Sequence, residues 1–124
     1  RRIGIIGLLD AKNGKEMIRS VLPVIDVLIV TAPKVLGKDA KSVGSIVDLA
    51  RDAGFRGEVL VEPDSLRTMD LAYSQVQEAR GDAVLVTGSL YLVGNVRERW
   101  YGEREIVAQR TPWPRVSASS SQGP

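Results

Sequence analysis

Four short apolar runs punctuate the chain: Ile3–Leu9, Val27–Thr31, Val59–Val61 and Ala83–Thr87. They are rich in β-branched residues and continuous rather than alternating, the pattern of strands buried on both faces of a parallel sheet. Between them, apolar residues recur at helical spacing. Met17, Ile18, Val21 and Leu22 share one face, ended by Pro23, and Val43, Ile46, Val47 and Ala50 share another, closed by Gly54 in the C-cap role. Leu66, Met69, Ala72, Tyr73 and Val76 form a third stripe that stops at Gly81, and Val93, Val96 and Trp100 mark a fourth.

The order is β-α-β-α-β-α-β-α. Strands that alternate with helices of this length need crossover connections, which predicts an α/β fold: a Rossmann-like, mostly parallel sheet flanked by helices. After Gly102 the pattern weakens; Glu105–Gln109 reads as an edge strand, and the run Thr111-Pro-Trp-Pro ends any helix. Residues 1–110 form one domain in this reading. Residues 111–124, Ser-rich and uncharged over their last part, read as a disordered tail.

Composition narrows the chemistry. A chain of 124 residues holds one domain with a real core. It contains no cysteine, so disulfides, thiol nucleophiles and thiolate metal sites are excluded. It contains no histidine, which removes a Ser-His-Asp triad, an imidazole base and a His-rich zinc site. No apolar run is long enough to span a membrane and no signal-peptide pattern opens the chain, which fits a cytoplasmic protein. Seventeen basic residues are dispersed among fifteen acidic ones, with few aromatics and none inside a basic run, so nucleic acid is not the expected partner.

In an open parallel sheet, ligands bind beyond the carboxyl ends of the strands. Four turns share that edge: Leu9-Asp10-Ala11-Lys12-Asn13, Ala32-Pro33-Lys34, Glu62-Pro63-Asp64 and Thr87-Gly88-Ser89. Helix N-termini there suit a carboxylate or phosphate. The segment Gly7 to Glu16 imitates a phosphate-binding P-loop but fails it: six residues separate its glycines, and Glu16 follows Lys15 where a magnesium-binding Ser or Thr belongs. Simpler roles are also open. Lys12 reads as a solvated turn lysine, Asn13 with Glu16 as a capping box, and Ser89 as an N-cap. Tyr91 reads as packing, Gly88 as a sharp turn, and Glu62-Pro63-Asp64 as a helix start rather than a metal site.

The run Val84-Leu-Val-Thr-Gly-Ser-Leu-Tyr-Leu-Val-Gly-Asn-Val-Arg97 resembles the last strand and helix of folylpolyglutamate and dihydrofolate synthases, and Ile5-Ile-Gly-Leu-Leu-Asp-Ala-Lys-Asn13 is similar to the family's strand ending in Ala-Asp-Lys-Asp. The resemblance covers roughly residues 3 to 101. These enzymes belong with the Mur ligases, built of an N-terminal part, a central P-loop ATPase domain and a Rossmann-like C-terminal domain. The resemblance implies that this chain is the C-terminal, amino-acid-binding domain of an ATP-dependent ligase that adds glutamate to folates. The folate carboxylate becomes an acyl phosphate, which the amino group of glutamate then attacks. It implies that Lys12, Ser89 and Tyr91 bind glutamate, and that ATP and Mg2+ are held mainly by parts absent from this chain.

Two departures matter. Ala11 and Asn13 replace the acids that usually flank the family's lysine, and the family's Asp-Gly-Ala-His-Asn-Pro strand, which contacts ATP, is expected before Arg1. The chain alone is therefore not expected to turn over, and an uncovered sheet edge is expected to favour self-association. The alternatives are a stand-alone Rossmann-like binding module without catalysis and a Mur-type domain for another amino acid.

Overall fold

The computed structural model describes residues 1–9 and 13–111. Four strands, β1 (Arg2–Ile6), β2 (Val27–Ala32), β3 (Glu58–Asp64) and β4 (Ala83–Thr87), form one sheet in the order β3-β2-β1-β4. All three pairings are parallel, with Ile5 opposite Ile29 and Val86, and Val30 opposite Val61. Five helices connect or follow them: α1 (Gly14–Val21), α2 (Val43–Asp52), α3 (Thr68–Gln75), α4 (Leu90–Arg97) and α5 (Glu103–Gln109). The α/β, Rossmann-like architecture is the one expected.

Alternation along the central strands divides the core into two layers. Ile6, Leu8, Leu28 and Val30 pack with Ile18 of α1 and Ile46 and Ala50 of α2. On the other face, Ile3, Ile5, Val27 and Ile29 meet Met69 and Ala72 of α3 and Leu92 and Val96 of α4. Each fully enclosed aliphatic side chain stabilises the fold by about 1.5–3 kcal/mol, so the central pair of strands anchors the molecule. The edges are thinner: Leu85 of β4 is 44% exposed and Val61 of β3 is 49% exposed.

Several expectations are corrected. Glu105–Gln109 is helical, not an edge strand, because the chain around it supplies a cap that local sequence does not advertise. The Glu98 carboxylate accepts from Glu103 N–H at 3.0 and 3.1 Å, and the Gly102 carbonyl accepts from Glu105 and Ile106. The stripe on α4 is Leu92 and Val96, both buried, whereas Val93 and Trp100 lie 40% and 42% exposed. β1 stops at Ile6 rather than Leu9: Leu8 turns into the core and Leu9 forms an antiparallel bridge with Ala40. Asn13 does precede α1 but makes no side-chain cap bond, so the capping box with Glu16 is not formed. Its backbone (φ −73°, ψ 80°) departs from the extended conformation an N-cap usually adopts. The tail beyond Thr111 lies outside the described residues.

Candidate functional site

Because the strands are parallel, all four carboxyl ends open onto one edge, where the turns at Gly7, Pro33, Asp64 and Gly88 converge. At the end of β4, Gly88 holds φ at +110°, and a Cβ there would run into the Gly7 carbonyl oxygen. The tight crossing lets Ser89 begin α4 directly above β1. Ser89 is buried and its Oγ accepts from Tyr91 N–H at 3.1 Å. The plain N-cap role is therefore realised, and the hydroxyl proton has no acceptor among the described residues. Next to this edge, at the end of β2, the Thr31 hydroxyl is also buried without a described partner.

The segment linking β2 to α2, residues 33–42, crosses the edge as a strap fixed at both ends. Asn95 of α4 accepts from Lys34 N–H at 2.8 Å and donates to the Lys34 carbonyl at 3.2 Å, so one side-chain amide satisfies both backbone groups as a neighbouring strand would. At the other end, Lys41 N–H donates to the Leu8 carbonyl at 2.8 Å, beside the Leu9–Ala40 bridge. In between, the Lys38 ammonium sits 5.0 Å from the centre of the Tyr91 ring, within cation–π range. Tyr91, 40% exposed and in neither core layer, thus holds the strap rather than packing into the core as its reading from sequence had it.

Asp64 closes the site on the β3 side. Its carboxylate accepts from Leu66 N–H at 3.0 Å, capping the 3-10 turn Ser65–Arg67, and pairs with Lys34 at 3.1 Å and Arg67 at 3.7 Å. Those bonds, the Leu66 amide first and the Lys34 ammonium next, hold its carboxyl below the ordinary value of 3.8. Glu62-Pro63-Asp64 is thus the start of a helical turn, as the sequence suggested. Asp64 is thus engaged by an amide and two cations.

The sequence-derived candidates are placed unequally. Ser89 and Tyr91 sit together at the carboxyl edge. Lys12, with Asp10 and Ala11, lies outside the described residues. Asn95 and Lys38 were not singled out from sequence, and Lys34 only as part of the turn after β2; Asn95 and Lys34 are 61 positions apart, and no local motif signals such a contact. A cleft of about 390 Å3 lies at the opposite edge, lined by residues before β2 and β3 such as Pro23, Ile25 and Phe55. It is remote from the strand carboxyl ends, so the carboxyl edge remains the functional candidate.

No protein-family model matches the sequence, and no curated protein matches it. Solved structures do. Folylpolyglutamate synthase from Mycobacterium tuberculosis, in a crystal structure with ADP and AMPPCP, superposes with a TM-score of 0.69 at 21% identity, over 79% of this chain and 23% of that one. Folylpolyglutamate synthase from Thermotoga maritima gives a TM-score of 0.60 at 34% identity, over 78% of this chain and 20% of that one. The chain thus spans less than a quarter of the length of these relatives. The resemblance read from the Gly-Ser-Leu-Tyr segment extends to the fold: in three dimensions this chain is similar to one part of the folylpolyglutamate synthases.

Proposed function

We propose that residues 1–110 are the C-terminal, amino-acid-binding domain of an ATP-dependent ligase that adds glutamate to folates, inactive by itself. The observation that carries this is Ser89: a buried hydroxyl at the N-terminus of α4, with a proton to donate, at the edge where a parallel sheet receives anions. The similarity to folylpolyglutamate synthases supports it. In this reading Ser89 and Lys12 bind carboxylate oxygens of glutamate, and Tyr91 keeps the strap against the site. Their task is orientation, holding the amino group toward the activated folate carboxylate while phosphate departs. The nucleotide supplies that activation. It is bound chiefly by a central ATPase domain beyond this chain, in the cytoplasm.

The test is steady-state kinetics of the full-length ligase containing this segment. Ser89→Ala and Lys12→Ala should raise the KM for glutamate with little change in kcat, since both remove binding common to ground and transition state. Unchanged glutamate kinetics in both variants would remove the assignment. Titrating the isolated chain with glutamate, ATP and folate separates the stand-alone module, which binds one of them tightly, from a ligase domain, which needs its partner domain to do so.

A further inference from the structure

We propose that Lys38 is a specificity-determining residue of this site, the cation that favours an amino acid with a second carboxylate over its neutral amide; this rests on the amino-acid-binding reading above. The strap bearing Lys38 is pinned by Asn95 at Lys34 and by Leu8 and Leu9 at Ala40 and Lys41. Its lysines have different employment. Lys34 is neutralised by Asp64 at 3.1 Å. Lys38 makes no ion pair with a described residue; its ammonium rests on the face of Tyr91, which leaves the charge intact and the position restrained. Tyr91 N–H in turn bonds to the Ser89 hydroxyl oxygen, so the ring and the serine belong to the same first turn of α4.

A dicarboxylic amino acid that places one carboxylate at Ser89 carries its other carboxylate a few bonds away. Glutamine has the same length and shape but ends in an amide, so shape alone cannot separate the two and charge must. A cation over a ring on the serine's own helical turn, held by that ring and a clamped loop and paired with no described carboxylate, meets that need. Asp39, the strap's acid, makes no ion pair with a described residue, and Asp64 is held on the far side by Lys34 and Arg67.

The experiment uses the full-length ligase with Lys38→Met, which keeps the apolar stem over Tyr91 and removes the charge, alongside Lys38→Arg and Ser89→Ala. Two quantities are read: the KM for glutamate and the inhibition constant of glutamine as a competitor. Lys38→Met should raise the glutamate KM roughly ten- to a hundredfold, as expected for a lost charged contact, and leave glutamine inhibition unchanged; Lys38→Arg should restore most of the loss. Equal weakening of both ligands would make Lys38 a loop-holding residue and overturn the proposal. So would unchanged glutamate KM in Lys38→Met while Ser89→Ala still raises it, which leaves the site reading standing. If Ser89→Ala is silent as well, the site reading fails and takes the proposal with it.

Discussion

Gly88 shows what one absent side chain contributes. Its φ of +110° is strained for any L-residue, and the Gly7 carbonyl occupies the space a Cβ needs. Gly88→Ala should therefore destabilise the chain by about 1–3 kcal/mol, read as a lower urea midpoint with unchanged slope; an unshifted midpoint would mean the turn is not so constrained. Gly88 and Ser89 were legible in sequence because a strand-to-helix turn imposes its demands locally. Asn13 and Glu16 have the spacing of a capping box and do not form one, since spacing does not fix the backbone angles such a box requires. Asn95 was invisible for the opposite reason: its partner is remote, and an asparagine inside a helix carries no mark of what it touches.

Among elements, the strap and its anchors behave as a unit. Asn95→Ala removes both bonds to Lys34, so amide exchange across residues 33–42 should quicken while the strand amides of β1 and β2 stay protected; equal protection in the variant would show that the clamp does not hold the strap. Asp64 makes the same region sensitive to acid. Its ionised form is favoured by Leu66 N–H and Lys34, so the folded carboxyl titrates below the ordinary 3.8. The stabilisation is fully present above that value and fades as pH falls through the lowered one. Melting temperatures of the protein and of Asp64→Asn, followed from about pH 7 to about pH 3, should converge toward the acid end; a constant difference would contradict the assigned pairing. The helix read as a strand, α5, belongs to this scale too. Its cap comes from Glu98, five residues before Glu103, and no β-branched run opposed that choice strongly enough.

Over the whole molecule, the layered α/β arrangement was legible because each buried strand is a continuous apolar run and each crossover a periodic one. The relative protection of the two sheet edges was not, since strand order is a tertiary outcome. β3 bears Glu58, Glu62 and Pro63, residues that discourage pairing, whereas β4 carries no charge and no proline and leaves Leu85 half exposed. The isolated chain is therefore expected to self-associate along β4. Sedimentation should show an average mass that rises with concentration, and Leu85→Lys should return it to the monomer; a concentration-independent monomer would contradict this.

The placement of β1 also has a consequence in time. Arg2 to Ile6 pair with β2 on one side and with Ala83 to Thr87 on the other, so the earliest of these four strands in chain order lies second from the edge of the sheet they form. Its first neighbour follows within one crossover, but its second arrives only after three helices and two further strands have been made. Throughout that interval a strand buried from Ile3 to Ile6 keeps an open flank, and the chain must close its longest loop before the sheet is complete. The same late closure that places Ser89 over β1 makes assembly of the site one of the last events in folding.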